Sequence, residues 1–157
     1  MVIRAMVTGS FDPISSGHAA LVKRCSELFD EVYVVAFQNA EKPCFYPLEK
    51  RKKLLAAAFS GLDNVKVDCS SGSVADYATG HGVNLIVRGI RTKEDADYEL
   101  FMARVNRTLA PGVTTVFMPP DEGLSEVSST EIRRRIEAGE PLETLVPPGV
   151  EEIIAEK

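Results

Sequence analysis

Short apolar runs alternate with amphipathic segments along the whole chain. Runs of strand length, several rich in β-branched residues, predict strands over 2–8, 31–37, 65–67, 84–87 and 114–118. Apolar residues at helical spacing predict helices over 18–29, 47–60, 73–80, 93–109, 128–138 and 149–155. This alternation favours a Rossmann-like α/β fold with a five-stranded, mainly parallel sheet that is covered by helices on both faces. The chain length suits one domain, which we place over residues 1–157.

The predicted helices have recognisable apolar faces, which normally pack against a core. In helix 18–29 one face carries Leu21, Val22, Cys25, Leu28 and Phe29, and in helix 47–60 Leu48, Leu55 and Phe59 are expected to point inward. In helix 93–109 the residues at helical spacing are Tyr98, Phe101, Met102, Val105 and Leu109.

Charge and composition narrow the class of partner. The chain has 18 Lys and Arg against 23 Asp and Glu, a net charge of −5, which argues against a general nucleic-acid binder. Most of the acidity lies in residues 121–157, where ten acidic residues stand against four basic ones. No apolar run approaches the roughly 20 residues of a membrane span, and the N-terminus reaches Gly and Pro too soon for a signal-peptide core. Three cysteines without Cys-x-x-Cys spacing suggest reduced thiols, so we expect a cytoplasmic protein.

Candidate chemistry follows the strands, because ligands of parallel sheets bind at the carboxyl ends of the strands. The first predicted strand leads into Thr-Gly-Ser-Phe-Asp-Pro-Ile-Ser-Ser-Gly-His, which ends in His18 at a helix start. Its glycines allow close backbone approach, and the helix N-terminus offers free N–H groups to an anion. The segment matches neither a Walker A loop nor a Gly-x-Gly-x-x-Gly fingerprint. A histidine by itself is more often structural, but we interpret His18 in this setting as functional.

Basic residues follow two further strands. Arg88 directly follows the fourth strand and Arg91 lies three residues on across a glycine, a spacing that suits bidentate contacts to phosphate oxygens. Lys42 follows the second strand and can be read either as a solvated loop lysine or as a phosphate ligand. Among the carboxylates downstream of Arg91, Glu99 is the candidate to contact a ligand hydroxyl or amine.

The start of the helix over 128–138 also suits an anion. Ser128-x-x-Glu131 fits a capping box, yet the same hydroxyls and N–H groups can hold a phosphate. Of the three consecutive arginines that follow, we expect Arg133 to face inward and Arg134 and Arg135 to face solvent.

Together these segments predict a polyphosphate site that has no protein nucleophile. No Cys-His pair or Ser-His-Asp set is indicated, and only two histidines are present, which disfavours a multi-histidine metal site. Direct phosphoryl or nucleotidyl transfer suits such a site, because there the protein mainly positions reactants and offsets developing charge.

Several of these motifs resemble a known family. Ser-x-Gly-His18 and Val-Ser-Ser-Thr-Glu-Ile-Arg133 resemble the two signatures of the nucleotidylyltransferase superfamily. Lys42-Pro-x-Phe, Arg88-Gly-Ile-Arg91 and Asp-Tyr-Glu99 narrow the resemblance to the bacterial phosphopantetheine adenylyltransferase family, over essentially the whole chain. That resemblance implies transfer of AMP from ATP to 4′-phosphopantetheine, giving dephospho-coenzyme A and pyrophosphate. It also implies Mg²⁺ with ATP, a cytoplasmic location, a homohexamer and feedback binding of coenzyme A.

The resemblance further implies a role for each matching position. The catalytic residues would be His18, Lys42 and Arg91, with His18 stabilising the α-phosphate in the transition state. The ATP-binding residues would be Ser10, Phe11, His18, Gly89, Ile90, Arg91, Glu99, Leu124, Ser125, Glu126, Val127, Ser128, Ser129 and Thr130. The residues that bind phosphopantetheine would be Ser10, Lys42, Val74 and Arg88. The resemblance assigns no metal ligand.

Some positions depart from the family pattern. The family usually has proline where this chain has Thr8, and its Asp-Phe-Glu-Tyr-Glu stretch is Asp-Ala-Asp-Tyr-Glu at residues 95–99. An aromatic-rich segment is replaced by Leu-Ser-Glu-Val at residues 124–127, which affects adenine packing, and Glu126 is expected to alter feedback by coenzyme A.

Three alternatives share parts of this pattern. A nicotinamide mononucleotide adenylyltransferase has the same two signatures, but Lys42 with Arg88 and Arg91 favours the phosphate of phosphopantetheine. A non-catalytic nucleotide-binding module would not need His18. A class I aminoacyl-tRNA synthetase is disfavoured by the short length and the acidic charge.

Overall fold

Five parallel strands form one sheet in the computed structural model, which describes residues 1–156. The strands are β1 (Arg4–Gly9), β2 (Glu31–Phe37), β3 (Val65–Ser70), β4 (Leu85–Gly89) and β5 (Thr114–Met118). They lie in the order β3-β2-β1-β4-β5, and every neighbouring pair is parallel. This arrangement confirms the predicted Rossmann-like α/β fold.

Helices connect consecutive strands and extend beyond the last one. They are α1 (Ser16–Leu28), α2 (Leu48–Ala58), α3 (Val74–Gly80), α4 (Lys93–Leu109), α5 (Ser129–Ala138) and α6 (Val150–Ala155), with a short 3₁₀ turn at Glu143–Leu145 that the sequence did not predict. Every predicted strand and helix is present. β3 is longer than predicted, because Asp68, Cys69 and Ser70 continue the ladder with β2 despite their polarity. No helix within residues 1–156 is long and apolar enough to cross a bilayer.

The sheet separates two clusters of buried apolar side chains. Along β1, Ala5 and Val7 enter the larger cluster, which also contains Val22 and Leu55 from the helices, whereas Met6 enters the smaller one. This alternation follows from the two-residue period of a strand. Both faces of the sheet are therefore buried, as the sequence predicted.

Two of the apolar helix faces are partly exposed to solvent. Leu28 at the end of α1 is 61% exposed, and Tyr98, Phe101 and Leu109 on α4 are each at least 60% exposed. Glu99 is instead the residue that α4 buries. Periodicity identifies an apolar stripe, but tertiary packing decides which side of the helix faces the core.

Candidate active site

One large cavity lies at the carboxyl ends of the strands, where β2 and β4 flank β1. It has a volume of about 890 Å³. Chain order reverses at β1, and open α/β sheets bind ligands at such switch points. Most of the predicted site residues line this cavity, namely Ser10, Phe11, His18, Lys42, Val74, Arg88, Gly89, Arg91, Glu99, Leu124, Val127, Ser128, Ser129 and Thr130. The sheet topology thus brings together segments that are far apart in the sequence.

Three predicted ligand residues do not line the cavity. Ile90 continues the sheet instead, since its N–H donates to the carbonyl of Met118 (3.0 Å). Ser125 and Glu126 lie on an exposed turn between Leu124 and Val127, both of which do face the cavity. Glu126, where the pattern of the resembling family has an aromatic residue, is therefore exposed and does not line the cavity.

His18 sits at the first turn of α1 with its ring held by the helix cap. Ser15 is the N-cap residue, and its Oγ accepts a hydrogen bond from the His18 N–H (3.2 Å). In return, the Ser15 N–H donates to His18 Nδ1 (3.2 Å), which completes a capping box. Phe11 meets the imidazole edge to face, with ring centroids 5.0 Å apart. The hydrogen bonds to Ser15 and the contact with Phe11 together fix where the imidazole ring lies.

The surroundings of His18 favour a neutral imidazole. Burial lowers its pKa to about 4, and the cationic side chains of Arg88 and Arg91 act in the same direction. The histidine can therefore donate a hydrogen bond at neutral pH without carrying a charge of its own.

Arg88 is fixed by a buried carboxylate. Its Nε and Nη2 donate to the two oxygens of Glu99 at 2.9 and 2.7 Å, a bidentate pair, and Glu99 is only 7% exposed. Arg88 Nη1 also donates to the carbonyl and to the hydroxyl oxygen of Thr8, the latter at 3.1 Å. The carboxylate of Glu99 is thus paired with Arg88, and both residues line the cavity.

Two further arginines join loops at the rim of the cavity. Arg91 Nη1 donates to the carbonyl of Val127 (3.2 Å), and Arg133 Nη1 donates to the carbonyl of Asp12 (2.8 Å). Arg133 lines the cavity as predicted, whereas Arg134 and Arg135 pair with Glu131 away from it. These contacts tie the start of α5 to the segments that follow β1 and β4.

The predicted capping box at α5 is half formed. Ser128 caps the helix by accepting from the Glu131 N–H (3.2 Å). The Glu131 carboxylate instead accepts from Arg134 and Arg135, and these hydrogen bonds lower its pKa to about 2. Ser129 donates to the carbonyl of Pro13 (2.7 Å), so its hydroxyl also holds the loop after β1.

Arg51 on α2 braces the site, although the sequence analysis missed it. It is fully buried and donates to the carbonyls of Ser10 (2.7 Å), Phe37 (3.1 Å) and Tyr46 (3.1 Å), and to the Gln38 side chain. These acceptors belong to the end of β2 and to the loops that follow β1 and β2. Its spacing from the inward Leu48 and Leu55 was the signal that could have revealed it.

Asp12 provides a second brace between the same loops. Its carboxylate accepts from the backbone N–H groups of Phe45 (2.6 Å) and Tyr46 (2.8 Å). Asp12 is 5% exposed, so these hydrogen bonds are shielded from water. Together, Arg51 and Asp12 hold the segment that carries Lys42 beside the loop that leads to His18.

Comparison with known proteins gives the family of this chain and a solved structure with a similar fold. Residues 6–135 match the cytidylyltransferase-like family, and the chain belongs to that family. The fold is similar to that of a Vibrio parahaemolyticus protein provisionally designated a nicotinate-nucleotide adenylyltransferase, with a TM-score of 0.72 and 20% sequence identity. The match covers 98% of this chain and 92% of that one. Family and fold support a nucleotidyltransferase, an enzyme that uses a nucleotide and a small-molecule substrate.

Proposed function

We propose that this protein transfers the adenylyl group of ATP to 4′-phosphopantetheine, giving dephospho-coenzyme A and pyrophosphate. The observation that carries the proposal is that Lys42, Arg88 and His18 line one cavity at the switch point of the sheet. The cavity thus offers cations to two phosphorylated ligands, on either side of a neutral hydrogen-bond donor. No acidic side chain within residues 1–156 forms an ion pair with Lys42, which leaves its ammonium group for a ligand.

The proposed reaction is a direct in-line displacement. An oxygen of the acceptor phosphate attacks the α-phosphorus of ATP, the bond to the bridging oxygen breaks, and pyrophosphate leaves. The attacking phosphate is already anionic at neutral pH, so the reaction needs no general base. His18 donates to an α-phosphate oxygen while Lys42 and Arg91 offset the charge that develops, and such preorganised donors are a major source of catalysis. No covalent intermediate forms on the protein.

The remaining roles are proposed on the resemblance, for residues that line the cavity. Ser10 and Phe11, which follow β1 and line the cavity, would contact ATP, and Ser10 would also contact the acceptor phosphate. Arg88 binds the acceptor phosphate, and Glu99 acts by orienting Arg88. Leu124 and Val127 cover the adenine, with Ser128, Ser129 and Thr130 towards the phosphates. Gly89 and Arg91 hold the nucleotide from β4, and Val74 lines the pantetheine arm.

Magnesium is proposed to arrive bound to ATP. Within residues 1–156, no group of three or more His, Cys, Asp and Glu side chains is placed to hold a metal ion. Magnesium in nucleotide sites is typically held by substrate phosphates, water and at most one or two carboxylates. When bound, the ion would neutralise part of the triphosphate charge.

The acceptor is the part of the proposal to test first. The structural match to a protein designated a nicotinate-nucleotide adenylyltransferase makes a mononucleotide acceptor the second candidate. Purified protein, ATP and Mg²⁺ are assayed for pyrophosphate release with phosphopantetheine, nicotinate mononucleotide or nicotinamide mononucleotide. We expect turnover with phosphopantetheine alone. Turnover with a mononucleotide and none with phosphopantetheine would establish the second candidate instead.

Two lysine variants test the proposed acceptor site in the same assay. Lys42→Ala removes a proposed phosphate ligand and is expected to raise KM for phosphopantetheine by about tenfold or more, since a charge-assisted hydrogen bond contributes about 1.5–3 kcal/mol. Lys53→Ala is the matched control, because Lys53 is exposed on α2 and pairs with Glu156. An equal KM for both variants would argue against the acceptor site.

Assembly, location and regulation are proposed on the resemblance. We infer a cytoplasmic homohexamer, and the exposed Tyr98, Phe101 and Leu109, which share one side of α4, supply an apolar surface for contact between copies. We also infer that coenzyme A binds the same cavity as a feedback ligand, because it carries the pantetheine arm and the adenylyl group of the product.

A further inference from the structure

The two ring nitrogens of His18 have different surroundings. Nδ1 faces the Ser15 N–H at 3.2 Å and the Ser15 Oγ at 3.0 Å. A backbone N–H is always a donor, so Nδ1 accepts from it and carries no proton of its own. Oγ already accepts from the His18 N–H, which leaves its own hydrogen free to donate to Nδ1.

We propose that Ser15 is a positioning residue that fixes His18 in the Nε2–H tautomer, so that the ring presents an uncharged donor to the ligand in the cavity. The tautomer follows from the donors on Nδ1, because a neutral imidazole carries one proton and that proton must then reside on Nε2. No hydrogen bond joins Nε2 to another group of residues 1–156, so this nitrogen is available to a ligand. The catalytic consequence rests on the proposed nucleotidyl transfer, whereas the tautomer itself does not.

The charged groups around His18 favour the same state. Burial is the main cause that disfavours a cationic ring, and Arg88 on β4 and Arg91 beyond it add to its effect. A carboxylate at Nδ1, as in many histidine-dependent enzymes, would reverse the assignment by accepting from an Nδ1–H. Ser15 supplies the opposite polarity, and its side chain is buried, at 2% exposure.

Two variants of equal size separate this role from helix capping. Ser15→Asn and Ser15→Asp both retain a good N-cap side chain. The amide of the asparagine variant can donate to Nδ1, whereas the carboxylate of the aspartate variant can only accept. The charge-assisted hydrogen bond to this carboxylate outweighs the neutral one from the backbone N–H of residue 15, which the substitution leaves in place. We therefore expect the aspartate variant to move the proton to Nδ1 and to raise the pKa of His18.

The first readout is the tautomer, measured by ¹⁵N NMR of the imidazole nitrogens in the whole chain. His81→Gln removes the other histidine, which lies in the stack with Tyr77, and leaves one set of signals. We expect a protonated Nε2 in the wild-type background and in Ser15→Asn, and a protonated Nδ1 in Ser15→Asp. A protonated Nδ1 in the wild-type background would overturn the proposal without any activity measurement.

The second readout is the kcat ratio of the aspartate to the asparagine variant across pH. The ratio cancels titration of the substrates and is expected to fall by about 10²-fold at high pH, as for a lost transition-state donor. It should recover at low pH, because a protonated ring again carries an N–H on Nε2. A ratio that does not change with pH would overturn the catalytic role, and a shifted tautomer with no turnover by the wild type on any acceptor would instead contradict the proposed function. If the aspartate variant does not fold, the wild-type spectrum decides the tautomer.

Discussion

His18 combines burial, a fixed tautomer and nearby cations, which together suit a hydrogen-bond donor better than a base. We expect His18→Ala to retain ATP affinity and to lower kcat by about 10²-fold or more, the usual cost of removing one transition-state donor. Isothermal titration with ATP measures the affinity, and pyrophosphate release with the acceptor that the wild type uses measures kcat. Unchanged turnover in this variant would favour a non-catalytic nucleotide-binding module.

The titration of His18 also predicts how stability depends on pH. Its pKa is about 4 in the folded chain against an ordinary value of 6.5, so the unfolded chain takes up the proton first as pH falls. The free energy of unfolding is therefore expected to decline between these two values. Urea unfolding of the wild type and of His18→Gln should show a steeper decline for the wild type in that window. Parallel pH profiles would contradict the low pKa.

Thr8 gives this chain a contact to Arg88 that proline, the usual residue of the resembling family, could not provide. Thr8→Val removes the hydroxyl while conserving shape, and Thr8→Ser retains it. We expect the valine variant to raise KM for the phosphorylated acceptor about fivefold, since a hydrogen bond contributes about 1 kcal/mol, and the serine variant to stay near wild type. If both variants bind the acceptor equally well, the hydroxyl does not help to hold Arg88.

At the scale of elements, α2 acts as a brace for the loops after β1 and β2. Arg51→Met is expected to lower the free energy of unfolding by about 3–5 kcal/mol, because it leaves several buried carbonyls without a donor. Lys53→Met on the same helix is the control, and its exposed position predicts a change within about 0.5 kcal/mol. Urea unfolding measures both, and hydrogen exchange of residues 39–46 should increase in the Arg51 variant alone. Equal stability of the two variants would show that the buried guanidinium is dispensable.

The same element shows what sequence reasoning can and cannot reach. Strand and helix positions follow from local periodicity. The location of the site follows from the rule that ligands bind at the carboxyl ends of parallel strands, so His18 and Arg88 could be assigned to one cavity there. Arg51 could not be assigned, because its acceptors are backbone carbonyls from segments that only the fold brings together. Glu99 was found as a candidate but its partner was not, since a bidentate pair across 11 positions leaves no periodic signal. Helical spacing likewise groups Tyr98, Phe101 and Leu109 on α4 but does not say that this side faces solvent.

Across the whole molecule, charge is distributed so that an acidic protein can bind polyanions. The net charge is −5, yet Lys42, Arg88, Arg91 and Arg133 line one cavity. The acidic residues after position 120 lie largely outside it, for instance in Glu131 and Glu140 around Arg134. The acidic side chains that line the cavity are engaged within the protein: Glu99 pairs with Arg88, Asp95 with Arg91 and Asp121 with Arg24, and Asp12 accepts from backbone N–H groups. Lys42 and Arg133 therefore add positive charge for phosphorylated small molecules, while the overall charge disfavours a nucleic-acid backbone.

The outer side of α4 predicts contact between copies of the chain. Phe101 and Leu109 are each 63% exposed, and water-exposed apolar residues clustered on one helix commonly mark an interface. We expect analytical ultracentrifugation of the wild type to give six times the chain mass of 17.1 kDa, and Phe101→Glu to shift the protein to smaller species. Leu28→Glu is the control, because Leu28 is similarly exposed but lies at the end of α1. A monomeric wild type would contradict the hexamer, and a hexamer that tolerates Phe101→Glu but not Leu28→Glu would place the contact elsewhere.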